Sequence, residues 1–224
     1  MTRYQSRDGR LTLFRGDSRR LAPIETGTVA VIVTSPPYWI RGRGRASADR
    51  YARGLARGFG REWHRVLAPD GDLWIIVGDR HDGIEWVGFD ALLTRWLRRG
   101  GWRLQSKGFW VQTRSRERWD SRVNYLLRFR KAGHVVRPRG ITLCWMLPLP
   151  RPHPDSLWDA IPDPVVTTLL EVSKKRGPIL DPFAGAGTVG RVAQRLGREW
   201  IGVERDPRMA EITARRFRLV RRPS

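Results

Sequence analysis

The sequence predicts an α/β protein with a mixed, mostly parallel sheet and helices on both faces. Three observations lead there. Apolar runs such as Val29-Ala30-Val31-Ile32-Val33 and Leu73-Trp74-Ile75-Ile76-Val77 end in polar or glycine-containing turns, as buried strands do. The stretches between them repeat apolar residues at helical spacing. The last third alternates strand and helix, which indicates βα units and a parallel sheet. In such sheets ligands gather beyond the carboxyl ends of the strands.

Taken in order, Leu11-Thr12-Leu13-Phe14 reads as a short strand closed by Gly16-Asp17-Ser18, and a second strand at 29–33 runs into Thr34-Ser35-Pro36-Pro37-Tyr38-Trp39. Residues 41–50, RGRGRASADR, alternate arginine with small residues and predict a mobile basic loop. Tyr51, Leu55, Phe59, Trp63, Val66 and Leu67 predict a helix over 49–67, stopped by Pro69-Asp70-Gly71. A buried strand at 73–77 ends in Gly78-Asp79, and a helix over 84–99 stops at Gly100-Gly101. Two antiparallel segments follow, 102–112 and 123–130, joined by the charged stretch RSRERWDS. Residues 134–162 are rich in proline and predict an irregular insert. Then come a helix at 163–174, a strand at 178–180, a glycine turn, a helix at 188–196, a strand at 200–203 and a helix at 207–219. The whole of 1–224 is expected to form one domain, and no internal repeat is evident.

Composition narrows the partners. Of 224 residues, 43 are Lys or Arg, nearly all arginine, against 22 Asp or Glu, a formal net charge of +21. A polyanion is the leading partner, although an arginine-rich composition also raises charge everywhere without any partner. Cys144 is the only cysteine, which excludes an internal disulfide or a cysteine-built metal site, and no metal is expected. The first residues lack a signal-peptide apolar core and no apolar run approaches a membrane span, so a soluble, cytoplasmic protein is expected.

The turn Asp181-Pro182-Phe183-Ala184-Gly185-Ala186-Gly187-Thr188-Val189-Gly190 sits between a strand and a helix, with Glu204 at the end of the next strand. Glycines let the backbone approach a ligand, and a carboxylate at the following strand end can hold two ribose hydroxyls. A nucleoside cofactor is implied. The same spacing occurs in nicotinamide-binding folds, so an oxidoreductase stays open on this motif alone. No lysine follows the second glycine, against a phosphate-cradling loop. Asp181 would face the pyrophosphate of a dinucleotide, whereas it suits the ammonium group of an amino-acid-bearing cofactor such as S-adenosylmethionine.

Thr34 to Trp39 can be derived in the same way. Proline lacks an N–H, and the residue before a proline is held extended. The hydroxyl of Ser35 and the carbonyl of Pro36 are therefore available as acceptors at a strand end, as is needed to hold both hydrogens of an NH₂ group. Tyr38 offers a flat ring for a planar heterocycle, with Trp39 beside it. The competing reading is a Pro-Pro turn whose aromatics complete the core.

Thr34-Ser35-Pro36-Pro37-Tyr38-Trp39 followed late in the chain by Asp181-Pro182-Phe183-Ala184-Gly185-Ala186-Gly187-Thr188 resembles the amino-group DNA methyltransferases, and the motif order resembles their beta group. Phe14-Arg15-Gly16-Asp17 resembles the strand end that contacts the cofactor adenine, and Trp200 to Pro207 resembles the segment whose glutamate holds the ribose. Arg65 to Asp79 resembles the helix, turn and strand that follow the clamp.

The resemblance implies a Rossmann-like S-adenosylmethionine-dependent methyltransferase fold with circularly permuted motif order. It places Asp17, Thr34, Asp181, Phe183, Ala184, Gly185, Gly187, Thr188 and Glu204 at the cofactor, and Ser35, Pro36, Pro37 and Tyr38 at the reacting amine. Val123-Asn124-Tyr125 and Asp159 to Pro164 depart from the family pattern, and a target-recognition insert at about 134–158 is short for it.

The implied reaction is methyl transfer from S-adenosylmethionine to an exocyclic amine of a flipped-out base in DNA. Trp39, Arg41, Arg43, Arg45 and Arg50 are the expected DNA contacts. Serine at the first clamp position resembles the subset acting on the 4-amino group of cytosine, with the 6-amino group of adenine as the alternative and an RNA or protein methyltransferase as a further one. Methylation at carbon 5 is disfavoured, because Cys144 lacks the Pro-Cys context of that chemistry. Roles in restriction–modification, in regulation or in phage self-protection fit equally, in a bacterial, archaeal or phage-infected cell. A homodimer stays open.

Overall fold

The computed structural model describes residues 1–37, 45–81, 85–112, 120–134, 144–147 and 161–223. Its frame is one ten-stranded sheet. In chain order the elements are β1 Thr2–Gln5, β2 Leu11–Arg15, β3 Val29–Thr34, α1 Arg45–Gly58, α2 Gly60–Val66, β4 Leu67–Arg80, α3 Phe89–Arg99, β5 Trp102–Gln112, β6 Asp120–Lys131, β7 Cys144–Leu147, α4 Asp163–Ser173, β8 Ile179–Asp181, α5 Thr188–Arg195, β9 Trp200–Glu204, α6 Pro207–Arg216 and β10 Val220–Arg222. The strand order is β10-β1-β2-β9-β8-β3-β4-β6-β5-β7.

The central run β2-β9-β8-β3-β4 is parallel throughout. The flanking pairs β10·β1, β1·β2, β4·β6 and β6·β5 are antiparallel, and β7 adds parallel to β5. Side chains alternate between the two faces with the strand period of two. Ile32, Leu73, Ile75 and Val77 join Trp63, Leu92 and Leu97 in one core layer, under α1, α2 and α3. Val31, Val33, Trp74 and Ile76 join Val165, Leu169, Val192 and Ala210 in the other, under α4, α5 and α6. Helices thus cover both faces. Trp74 Nε1 donates to Ser173 Oγ at 2.8 Å inside the second layer, tying the end of α4 to the middle of the sheet.

Several expectations are corrected. Residues 45–50 of the expected loop are the start of α1, because Ala48, Ala52 and Leu55 form a small buried stripe. The single helix over 49–67 is two, broken at Phe59 between Gly58 and Gly60. The helix expected from 84 begins at Phe89: Trp86 bridges to His81, and Gly88 turns the chain with a left-handed φ of 66°. Asp79 sets that start, its carboxylate accepting the N–H groups of Gly88 at 3.0 Å and Phe89 at 3.3 Å. In the insert expected to be irregular, Cys144–Leu147 is an edge strand. The two outer strands β1 and β10 are absent from the sequence expectation, and the last helix stops at Arg216 rather than 219. Among the described residues no helix is long and apolar enough to cross a membrane.

Candidate functional site

Neighbouring parallel strands place a polar residue at each carboxyl end. Across the sheet these are Asp17 after β2, Glu204 on β9, Asp181 on β8, Thr34 and Ser35 at β3, and Asp79 on β4. The chain leaves β3 toward β4 through α1 and α2, and leaves β8 toward β9 on the opposite side through α5. The topology therefore switches between β3 and β8, where a crevice opens in sheets of this kind. Val31 pairs with Ile179 and Ile32 with Leu180, so one residue further Val33 lies beside Asp181, with Thr34 and Ser35 next in line.

Asp181 is 4% exposed. Its Oδ1 accepts the Phe183 N–H at 3.1 Å, and no cation pairs with it among the described residues. Burial, with a smaller contribution from the charge of Glu204, pushes its carboxyl up to about 7, while the Phe183 N–H opposes the shift. Glu204 is occupied differently. Oε2 accepts the Gly185 N–H and Oε1 the Asp206 N–H, both at 2.8 Å, leaving further lone pairs on each oxygen.

Asp206 in turn caps α6 through the N–H groups of Arg208 and Met209. The turn is braced elsewhere as well: Ala184 N–H reaches Val203 O at 3.0 Å, Gly187 N–H reaches Ala184 O at 2.7 Å, and Thr213 Oγ1 donates to Gly185 O at 2.6 Å. Gly187 has a φ of 81°, and a Cβ there would come within 2.6 Å of the Phe217 ring, so this position needs glycine. Thr188 is buried at the first position of α5.

The Phe183 ring is half-buried and held edge-on by Phe59, 4.9 Å between centroids, and by Trp63 at 6.3 Å. Asp17 lies just past the point where Gly16 N–H bonds Glu204 O, and its carboxylate accepts the Arg19 guanidinium and backbone N–H. The Arg19 guanidinium holds the Asp17 carboxyl below the usual carboxylate range, against a smaller effect of burial.

At the other side of the crevice Thr34 is fully buried and its Oγ1 has no hydrogen-bond partner among the described residues. Ser35 is half-buried, Pro36 buried and Pro37 exposed. Pro37 O accepts the hydroxyl of Tyr51, on α1, at 2.5 Å. Burial pushes the Tyr51 phenol up to about 12, so it stays a donor at any physiological pH. Tyr38, Trp39, Arg41 and Arg43 lie outside the described residues. Arg45 and Arg50 are exposed on α1, not on a loop.

Sequence reasoning missed Tyr51, Thr213, Arg19 and the Phe59–Trp63 brace. Tyr51, Thr213 and the Phe59–Trp63 brace act on Pro37, Gly185 and Phe183 across distances in the chain that no motif spans, and Tyr51 is visible in the sequence only as one more apolar position of a helix, whereas Arg19 lies two residues from the Asp17 it pairs with. Among the described residues no group of three or more His, Cys, Asp or Glu side chains is placed to hold a metal ion.

The sheet order and its switch point define the fold of S-adenosylmethionine-dependent methyltransferases, with the serine–proline corner ahead of the glycine turn in the chain. The Thermus thermophilus protein TTHA0409, solved in complex with S-adenosyl-L-methionine, superposes with a TM-score of 0.73 at 27% identity, over 92% of this chain and 93% of that one. PvuII DNA methyltransferase, described as cytosine-N4-specific, superposes with a TM-score of 0.73 over 96% of this chain and 86% of its own, at 17% identity, which bears on the fold alone. The type II methyltransferase M.Cfr9I of Citrobacter freundii is 26% identical over 92% of this chain and 87% of its own length. A family model, N6_N4_Mtase, described as DNA methylase, matches residues 160–215. Over most of its length the chain is thus similar to DNA methyltransferases, and its residues 160–215 match the N6_N4_Mtase model.

Proposed function

We propose that this protein transfers a methyl group from S-adenosylmethionine to an exocyclic amine of a base in DNA, and that this amine is the 4-amino group of cytosine. The observation carrying the reading is the pairing at one switch point of a buried, cation-free Asp181 with the Thr34-Ser35-Pro36 corner of the adjoining strand. The complex formed by TTHA0409 supports the cofactor.

Bound there, S-adenosylmethionine supplies an electrophilic methyl group on a sulfonium. In this chain Asp181 faces its ammonium group, Glu204 offers lone pairs to the ribose hydroxyls, Phe183 and Asp17 bound the adenine, and Gly185 and Gly187 keep side chains out of the way. Thr34 Oγ1, buried without a partner, is a hydrogen-bonding group available to the same ligand. Ser35 Oγ and the Pro36 carbonyl accept the two amine hydrogens. That favours the pyramidal amine, whose lone pair is withdrawn from the ring and directed at the methyl carbon. As nitrogen bonds to carbon the sulfur–carbon bond breaks, and a proton leaves the amine afterwards; Ser35 orients and does not act as a strong base. The amine is reached by flipping the nucleotide, with Tyr38 replacing the lost stacking. Trp39, Arg41, Arg43, Arg45 and Arg50 are proposed DNA contacts.

Cytosine is favoured over adenine by the serine at position 35. A carbon-5 reaction is disfavoured by the position of Cys144, exposed on β7 and three strands beyond β4. The protein is proposed to act in the cytoplasm, where DNA and cofactor meet. The test is DNA treated with enzyme and labelled cofactor, digested to nucleosides and resolved by mass spectrometry. N4-methylcytosine is expected; N6-methyladenine would move the reading to the alternative base, and label in RNA or protein alone would overturn it. Binding of NADH in preference to S-adenosylmethionine would return the oxidoreductase reading.

A further inference from the structure

The helices on the two faces of the sheet treat their arginines in opposite ways. On the α4–α6 side the arginines are engaged: Arg191 and Arg195 share Asp163, Arg198 donates to the carbonyls of Lys175 and Gly177, and Arg216 donates to Ala186 O. On the other side α1, α2 and α3 together carry nine arginines and three carboxylates. Those carboxylates are already committed, Asp49 to Arg95 and Trp96, Glu62 to Arg65 and the Leu21 N–H, and Asp90 to Lys107.

The guanidinium groups on this side, in excess over the carboxylates, are gathered rather than dispersed; Arg95 is paired with Asp49, Arg19 with Asp17 and Arg65 with Glu62. Arg53, Arg57, Arg95 and Arg99 surround the single indole of Trp96, with their carbons 5.7, 5.8, 5.4 and 4.6 Å from its ring centre. Beside them an open groove of about 880 Å³ is lined by Arg19, Arg20, Arg57, Arg61 and Arg65, with Glu62 the one carboxylate among the described residues of its wall. Cation–π attraction to the shared ring opposes their mutual repulsion without neutralising their charge. An array with this excess of positive charge is a complement for regularly spaced negative charge.

We infer that the outer face of α1, α2 and α3, with the groove beside it, is a track for the phosphate backbone of duplex DNA flanking the base held at the Ser35–Pro36 corner. This rests on DNA being the substrate. The geometry connects the two places: Tyr51, midway along α1, bonds Pro37 O, so the middle of α1 lies beside the corner. The second half of α1 and then α2, joined through Phe59, continue for fifteen residues to Val66, at most about 22 Å, the length of roughly six base pairs. Charge complementarity commits the face to a polyanion, and the same density of arginine opposes a second copy of this chain, which would meet it with like charge.

The experiment measures binding, not methylation, so that it stands apart from the assignment of the reaction. Fluorescently labelled duplexes, one extending about three base pairs beyond the target base and one about twenty, are titrated at several salt concentrations with wild type and with the triple variant Arg53→Gln/Arg57→Gln/Arg99→Gln. On the long duplex the variant should lose about 2 to 3 units of the salt slope and roughly tenfold in affinity, because each lost phosphate contact removes about 0.9 of a unit. On the short duplex it should match wild type. An unchanged slope on the long duplex overturns the inference, and so does an equal loss on both lengths, which would place the arginines at the corner itself. Sedimentation showing a wild-type dimer that the triple variant dissolves would assign the face to a second copy and also overturn it. If the triple variant unfolds early or loses cofactor affinity, Arg20→Gln/Arg61→Gln, on the groove wall, is read by the same criteria.

Discussion

Two buried aspartates lie at opposite ends of the parallel strands and are solvated in opposite ways. Asp72, on β4 opposite Val31 and so level with the first residue of β8, is fully buried, with Arg128 donating at 3.0 and 2.7 Å and Arg130 at 2.6 Å. Asp181, at the exit of β8, is nearly as buried and, among the described residues, accepts one backbone N–H. A buried carboxylate without a cation is costly, and a fold retains one where something else brings the charge. The entry end is closed on itself; the exit end is part of the proposed cofactor site.

Breaking the closed end should have the largest effect. Asp72→Asn leaves two guanidinium groups buried without a counter-charge, and a loss of about 3 to 5 kcal/mol in urea-unfolding stability is expected. A variant as stable as wild type would show that Arg128 and Arg130 find other acceptors. At the open end Ser35→Ala should cut turnover by roughly a hundredfold, with cofactor affinity measured by calorimetry little changed. Full turnover would remove Ser35 from the mechanism.

Asp181→Asn sharpens the contrast. It should weaken S-adenosylmethionine binding by about tenfold or more while leaving the unfolding midpoint at pH 8 equal to or above wild type, since the penalty of a buried charge goes with it. A midpoint that falls instead would make Asp181 a structural residue like Asp72. Glu204→Gln should have a smaller effect on binding, because the amide keeps one acceptor oxygen but can no longer serve both the Gly185 and Asp206 N–H groups.

Acidity gives the finest test. The Asp181 carboxyl, raised from 3.8 to about 7 in the fold, contributes stability that is fully present below about 4 and is lost as pH rises through 7. The ligand should see the reverse. Affinity should climb as Asp181 ionises toward 7 and fall again above about 8, where an α-amino group loses its proton. The rising limb should be absent from Asp181→Asn.

The same contrast explains what was readable in the sequence. The strands expected at 29–33, 73–77 and 200–203 and the glycine turn are local signals, apolar runs and residues without side chains, and the three strands fall within β3, β4 and β9. The first turns of α1 read as loop because arginine and alanine carry little hydrophobic signal, although Ala48 and Ala52 are fully buried. The start of α3 depends on a carboxylate nine residues earlier, and the bracing of Glu204 on a glycine nineteen residues earlier. Such partners are fixed by the sheet order, not by spacing. For the same reason the sequence named Asp181 as a candidate but gave no hint that Asp72, ahead of a strand like any other turn aspartate, is the more deeply locked of the two.

The outermost strand β10 bears on assembly. Its residues Val220, Arg221 and Arg222 are all exposed, and it closes one margin of the sheet against β1 with arginine facing arginine, Arg3 opposite Arg222. Any chain trying to zip onto that margin as an eleventh strand would have to bring its backbone alongside a row of guanidinium groups, so growth of the sheet into ribbons or fibrils is blocked there by repulsion.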